Sequence, residues 1–402
     1  MAVYTKYFSY SIAYFYYAVL FGAIGLIASD TFVPSMSSIA DSFNVDISVI
    51  QGSIAVFMLG FSFARFFISI ISDGLGRKAM FILCFTLLSA GSCICLFSTN
   101  ADMFILVRLL QGIGAGGSNV LARVIIRDIT DNENLAKFNS LYSMYAISLM
   151  AAAPFIGSIL QTFFDWQAVF ILLSLLSMIA LFISITSYGE TNTHKSIHNL
   201  KLNKLKTNFI DLIRSEASFK YANLLFVSFG FMTAWLTSGS VILQDKLNLT
   251  YIEFGYCTLF VGFFYFVASY LSSKYVKMLG EHHLILLGVR LFILAPLTLS
   301  VVFLIEDIHV IALFIVTAIA IGFSAVGLII PNAYSLGVKS SAKIAGMAGA
   351  FFGFAQIFGG CIYSYFISLA SSYSIVPLSI TMIVTLIIAT LSVTDFKEKR
   401  VL

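Results

Sequence analysis

Apolar runs of about twenty residues recur from one end of this 402-residue chain to the other, separated by short polar stretches. Wound as helix at about 1.5 Å per residue, a run of that length crosses the roughly 30 Å hydrocarbon layer of a bilayer. The pattern predicts twelve such helices, near 8–29, 47–70, 78–97, 101–127, 137–161, 166–187, 219–242, 253–275, 283–305, 308–331, 342–369 and 374–394. A membrane barrel would instead show segments of about ten residues alternating in polarity, and the runs here are continuous. One long polar segment, from Gly189 to about Glu216, separates the sixth run from the seventh. It divides the chain into a six-helix bundle over 1–188, a linker over 189–216, and a second six-helix bundle with a short tail over 217–402. The predicted fold class is an all-α polytopic membrane protein with twelve transmembrane helices.

Composition agrees with that pattern: 59% of residues are hydrophobic and 10% charged, where a soluble domain carries about 25%. The placing of the charge adds more. The even-numbered loops hold Arg77, Lys78, Arg127, Lys137, Lys195, Lys201, Lys204, Lys206, Arg214, Lys220, Lys274, Lys277, Lys339 and Lys343. Lys6 precedes the first run, and Lys397, Lys399 and Arg400 follow the last. The odd-numbered loops hold one base, Lys246, and the acids Asp41, Asp46, Asp102, Asp165, Asp245, Glu253, Glu306 and Asp307. Short loops rich in Lys and Arg stay on the cytoplasmic side, so both termini and the linker, with its His194 and His198, are expected there. One missed helix would invert this alternation downstream of itself. The first apolar run is too long for a cleaved signal and lacks a small-residue cleavage site.

Little else points to soluble chemistry. The cysteines Cys84, Cys93, Cys95, Cys257 and Cys361 all lie in apolar runs without metal-ligand spacing, and read as reduced, lipid- or helix-facing side chains. No His, Cys and carboxylate cluster has metal spacing, and the glycine-rich run 112–117 lacks the Gly-Lys-Ser/Thr of a phosphate loop. No metal, cofactor, nucleic-acid partner or enzymatic activity is expected.

The charges inside the apolar runs are the candidate chemistry. In the stretch IASDTFVPSM, Asp30 stands where the first run ends, four residues before Pro34. It is either a helix end in water or a carboxylate facing a cavity. Arg108 lies inside the fourth run, where a charge is costly and marks a functional site unless it snorkels to an interface. Arg65, in the second run, is placed to pair with Asp73 or to reach the cytoplasmic interface, and Arg290, in the ninth, near the cytoplasmic end. The loop ISDGLGRKAM sets Asp73 and the pair Arg77–Lys78 around a turn eased by Gly74 and Gly76. Asp73 can accept from a helix N-terminus or pair with an arginine.

Several of these stretches resemble the major facilitator superfamily, whose layout is also two pseudo-symmetric six-helix bundles joined by a cytoplasmic linker. ISDGLGRKAM resembles its signature loop G-x-L-x-D-R-x-G-R-R at Asp73, Gly76, Arg77 and Lys78, with Ser69 and Gly74 standing where the family has glycine and arginine. RLLQGIG resembles the fourth-span pattern R-x-x-Q-G-x-G at Arg108, Gln111, Gly112 and Gly114. The continuation through Ala122, Arg123, Arg127 and Asp128 is similar to one branch, the bicyclomycin-resistance (Bcr/CflA) group of drug:proton antiporters. SDTFVPSM resembles that branch's D-x-Y-x-P-A at Asp30, Phe32 and Pro34, and Gln51 falls where the branch has an early second-span glutamine. Arg65 departs from the branch, which has glutamine there. AAAPFIGSIL keeps Pro154 and Gly157 of the antiporter motif, with Ala153 and Ser158 in place of glycines, and DWQAVF is similar to W-R-x-x-F with Gln167 for arginine. Asn332, Ala333, Ala345, Gly346, Ala348, Gly353 and Gln356 extend the likeness into spans ten and eleven.

The resemblance implies a secondary active transporter of the bacterial inner membrane, acting as a monomer by alternating access, with its site near the midplane between the bundles. Proton-coupled efflux of a small drug-like or metabolite substrate is the first reading. A dedicated carrier of one metabolite, such as a siderophore, is the second, and a non-transporting receptor the third. Desolvation favours a neutral carboxyl group and a nearby arginine the charged one, so a carboxylate between those influences can load and release a proton. Asp30 is the candidate proton carrier with Arg108 as its electrostatic partner. Gln51, Asn119, Tyr142, Tyr145, Trp235, Asn332 and Gln356 are candidate substrate contacts. Asp73, Gly76, Arg77, Lys78, Arg127 and Asp128 form the implied conformational latch, which the missing arginine at Gly74 is expected to weaken. Gly112, Gly114, Pro154 and Gly157 serve close packing and kinking.

Overall fold

A computed structural model describes residues 2–130, 132–192, 202–341, 344–370 and 374–394. Lys195, Lys201, His194, His198, Lys343, Lys397, Lys399 and Arg400 lie outside the described residues, as do the side chains of Lys6, Lys137, Lys204, Lys206 and Ala345. The described residues are helical throughout, with no strand among them, and twelve helices are long and apolar enough to cross a membrane. The chain separates into two compact units, Met1–Leu205 and Lys206–Leu402.

The first unit contains α1 (Ala2–Asp30), α2 (Met36–Phe43), α3 (Ile47–Leu75), α4 (Arg77–Leu96), α5 (Ala101–Ile129), α6 (Asn132–Phe163) and α7 (Gln167–Thr186). Helix α8 (Leu202–Arg214) runs across the boundary. The second unit contains α9 (Glu216–Ser240), α10 (Tyr251–Leu279), α11 (Glu281–Phe292), α12 (Leu294–Ser300), α13 (Ile308–Ser340), α14 (Ala345–Leu369) and α15 (Val376–Val393). Local chemistry sets corresponding ends in both units. Asp46 caps α3 by accepting from the Ser48 amide, and Thr250 with Glu253 forms a capping box on α10. Asn100 caps α5 and Asp307 caps α13. Gly76 (φ 98°) joins α3 to α4, and Gly280 (φ 79°) joins α10 to α11; few other residues adopt that backbone.

Four features depart from the apolar pattern. The first run does not end in water at Asp30. A 3-10 turn at Val33–Ser35, fixed by Pro34, leads directly into α2, and residues 27–36 are all buried. The polar segment 189–216 is not wholly a linker: α8 turns an apolar face inward, with Leu212 buried and Phe209 edge-on to Phe351. The ninth run breaks into α11 and α12 because Pro296 cannot donate to the carbonyl of Phe292. The seventh run closes in a π turn, Val241–Lys246.

In the first unit, α5 is the central helix. A Cβ at Gly112 would collide with the Phe57 carbonyl, at Gly116 with the Phe61 carbonyl and at Gly114 with the Cys84 carbonyl. These glycines therefore bring the backbones of α3 and α4 into contact with α5, fixing every side chain that α5 carries toward its neighbours.

Candidate functional site

The first cluster is built where α1 ends against α5. Asp30 is 3% exposed. The Ser29 hydroxyl lies 2.7 Å from the Leu26 carbonyl and 2.5 Å from Asp30 Oδ1. Its one proton faces two acceptors, the Leu26 carbonyl and the Asp30 carboxyl group. A Cβ at Gly157 of α6 would overlap the Thr31 carbonyl and approach Pro34, so that glycine seats the segment beside Asp30.

Arg108 is fully buried on α5. Its Nη1 donates to Gln111 Oε1 at 2.6 Å and, at 3.5 Å, to the Ala28 carbonyl of α1. Gln111 in turn donates to Ser92 Oγ at 2.8 Å, and Ser92 to the Leu88 carbonyl. The guanidinium carbon lies 4.1 Å from the Phe32 ring centroid and 4.3 Å from that of Phe57, and cation–π attraction offsets part of its desolvation. Nε and Nη2 have no hydrogen-bond partner. Asp30 and Arg108 are near enough for their charges to interact, but they form no ion pair within 4.0 Å. Snorkelling does not occur.

The second cluster lies farther along α5. Asn119, 3% exposed, donates to the Tyr142 hydroxyl at 3.3 Å, and Tyr142 is buried on α6. The Arg123 guanidinium lies 5.2 Å from the Tyr142 ring centroid. Arg65, 6% exposed on α3, is close enough to act electrostatically on Tyr142 together with Arg123. The expected Arg65–Asp73 pair does not form: Arg77 takes Asp73, and Arg65 is buried. Gln51 is buried on α3. Tyr145 does not join Tyr142: it is 41% exposed with its ring beside Phe15.

The third cluster closes the turn between α3 and α4. Arg77, 3% exposed, donates from Nη2 to Asp73 (2.6 Å), from Nη1 to Ser72 Oγ (2.6 Å) and from Nε to Asp128 Oδ2 (2.9 Å). Arg127 stands within 3.8 Å of Asp73 and 3.9 Å of Asp128. Glu190 and Asn192 were not legible as members, since they begin the polar segment. Glu190 accepts from the Arg77 amide at 2.9 Å, and Asn192 donates to the Ser72 and Asp73 carbonyls. Lys78 donates to the Ile185 carbonyl at 2.9 Å. A side chain at Gly76 would overlap the Glu190 carboxylate. Tyr188 anchors the segment among Tyr14, Tyr17, Phe21 and Phe81; burial pushes its phenol up, so it remains a neutral partner for Thr191. The place left by Gly74 needs no arginine for this network to form.

The second unit carries the remaining candidates separately. Asn332 donates to Ser272 Oγ and to the Leu328 carbonyl, both at 2.7 Å. Trp235 is buried on α9 with its ring against Gly239. Gln356 is partly exposed on α14, and Arg290 is exposed on α11. Pro154 and Pro331 lie inside α6 and α13.

Residues 7–364 match the family described as the Major Facilitator Superfamily. The chain is 25% identical over 364 residues to a bicyclomycin resistance protein homolog of Haemophilus influenzae, covering 90% of each. It is 25% identical to the multidrug resistance protein MdtL of Salmonella heidelberg, over 83% of this chain and 82% of that one. Among solved structures, it resembles a D-xylose–proton symporter with a TM-score of 0.75 at 13% identity, covering 97% of each chain. It also resembles the nucleoside transporter NupG with a TM-score of 0.72 at 11% identity, over 94% of this chain and 98% of that one.

Proposed function

The chain belongs to the Major Facilitator Superfamily, a multi-pass membrane transporter and not an enzyme, and on that footing we propose that it is a proton-coupled exporter of small molecules. It works by alternating access in a bacterial inner membrane as a monomer, with its termini in the cytoplasm. Asp30 carries the proton. The observation that supports this most is the burial of Asp30 at the end of α1, with Arg108 near enough to act on its charge but no ion pair between them.

The arrangement around Asp30 gives release a chemical cause. Arg108 keeps two donor nitrogens without partners and holds its charge near Asp30 without bonding to it. A shift of α1 against α5 that brings the carboxylate into hydrogen-bond range of the guanidinium favours the ionised form. A shift the other way leaves a neutral acid in a buried setting. Proton loading thereby follows the position of α1. Outward movement of substrate against the proton is favoured by the two relatives whose names carry drug resistance.

Expression in a bacterial strain stripped of its drug pumps tests this reading. The wild-type chain raises resistance to at least one compound, and D30N removes that resistance at equal protein level. Resistance that survives D30N refutes Asp30 as the proton carrier. A deletion strain of the host then separates broad drug sensitivity from retention of one metabolite.

A further inference from the structure

Beyond Asp30 the chain runs on through the 3-10 turn into α2, alongside α6. Three contacts fix the register between the two segments. Gly157 sits against the Thr31 carbonyl and Pro34, Gln161 Nε2 donates to Ser38 Oγ at 2.9 Å, and the Trp166 indole, past the end of α6, donates to Ser42 Oγ at 2.9 Å. Exposure rises along this seam: residues 27–36 are buried, Ser38 is half-buried and Ser42 is exposed. The seam therefore leads from Asp30 to the surface. With the termini in the cytoplasm, as proposed above, that surface faces outward.

The deep part of the seam holds polar groups with nothing to bond. Ser35 and Ser158 are fully buried, and neither hydroxyl has a hydrogen-bond partner. Gln161 Oε1 is buried without one as well. Ser35 directly follows Pro34, Ser158 directly follows Gly157, and Gln161 lies one helical turn farther along α6, so all three belong to the stretch that the contacts define. A helical serine ordinarily bonds to the carbonyl one turn back, as Ser92 does to Leu88 and Ser177 to Leu173. Ser158 moreover stands where the antiporter motif has glycine, so close packing does not call for its hydroxyl. Buried polar groups without protein partners are costly, and water, which makes two to four hydrogen bonds in such places, is the partner that fits a narrow polar seam.

We propose that Ser35, Ser158 and Gln161 hold a short file of water molecules through which protons pass between Asp30 and the outer surface near Ser38 and Ser42. This rests on Asp30 as the proton carrier and supplies its route. Each water oxygen accepts one proton and gives one up, so a hydronium at the outer end becomes water and the Asp30 carboxylate becomes the acid. The serine hydroxyls and the amide position the file and are not consumed.

Two measurements on the purified full-length protein in detergent test it. The first is X-ray hydroxyl-radical footprinting, in which bound water oxidises the side chains beside it. Met36, next to Ser35, and Met382 of α15 are both fully buried. Met36 is oxidised several-fold faster than Met382 in the wild type, and the difference disappears in S35A/S158A. Should that variant fail to fold, S158A alone narrows the difference. Equal oxidation of the two methionines in the wild type, or an undiminished difference in the variants, overturns the proposal. The second is a stopped-flow pH drop followed with pyranine. The proton that the wild type takes up and D30N does not arrives about tenfold more slowly in S35A/S158A, with unchanged amplitude. An unchanged rate overturns the route. A D30N trace equal to the wild type refutes the carrier itself, and Met36 labelling, which involves no proton uptake, tells that failure from failure of the water file.

Discussion

The two units bury different polar chemistry. Among the described residues, the buried set of the first includes Asp30, Arg65, Arg77 and Arg108; that of the second is hydroxyls with Gln244 and Asn332, and no acidic or basic side chain. Both are six-helix bundles of similar hydropathy with matching helix caps, so the difference is not imposed by the fold. Charges inside a bundle need fixed partners, and a unit that carries them has a strong dependence on each partner. Hydroxyls bond to the carbonyl one turn back on their own helix, as Thr237 does to Thr233, and can be replaced at little cost. The first unit thereby depends on specific charge partners where the second does not.

The largest expected effect breaks the comparison at Gln111. Q111L leaves the long Ala28 contact as the one hydrogen bond of the buried Arg108 among the described residues, beside its two aromatic rings, at a cost of about 3–5 kcal/mol, and little folded protein is recovered from the membrane. Its counterpart is the Thr237–Ser364 hydroxyl pair at 2.8 Å in the second unit. The double variant T237V/S364A changes stability by less than about 1 kcal/mol, because both partners leave together. Melting curves of the purified proteins decide it, and similar losses would show that the two interiors are equivalent.

A second pair sharpens the division between packing and function. A Cβ at Gly157 meets the Thr31 carbonyl, and one at Gly359 meets the Phe226 carbonyl. G157A and G359A each cost about 1–3 kcal/mol through overpacking. Only G157A displaces the segment carrying Asp30, so only it alters the pH dependence of transport.

The smallest effect is at the surface. The Ser48 hydroxyl and amide hold the exposed Asp46 below the ordinary carboxylate range. A lowered folded value means that the cap stabilises α3 above the unfolded value of 3.8 and that this is lost as pH falls through the folded one. D46A costs about 0.5–1 kcal/mol at pH 7, and the gap to wild type narrows as pH falls below 3.8. Melting temperatures of both proteins across that range measure it.

The sequence carried the fold almost entirely, because apolar length is a local property that each helix declares for itself. The two readings of Asp30 could not be separated in sequence, because a proline after an apolar run fits a helix end in water as well as the buried 3-10 turn that it forms here. The charges in the apolar runs were legible as candidates because burial of Arg108 or Asp30 is costly wherever it occurs. Their partners were not. Ser29, Ser92, Phe32 and Phe57 are unremarkable in a chain so rich in serine and phenylalanine, and only the close approach of α3 and α4 to α5 gives them a role. Arg123 of α5 and Tyr142 of α6 come together across two helices, a juxtaposition without any sequence spacing. Glu190 and Asn192 were hidden by their polar surroundings.

The central claim is that Asp30 binds the transported proton. Proteoliposomes of the full-length chain, loaded in turn with bicyclomycin, ethidium and fluorescein, separate two kinds of flux. One is driven by an imposed pH gradient, and the other is solute exchange without a gradient. The account predicts that D30N abolishes the gradient-driven flux of whichever probe the wild type carries while exchange continues. Gradient-driven flux in D30N at the wild-type rate would contradict it.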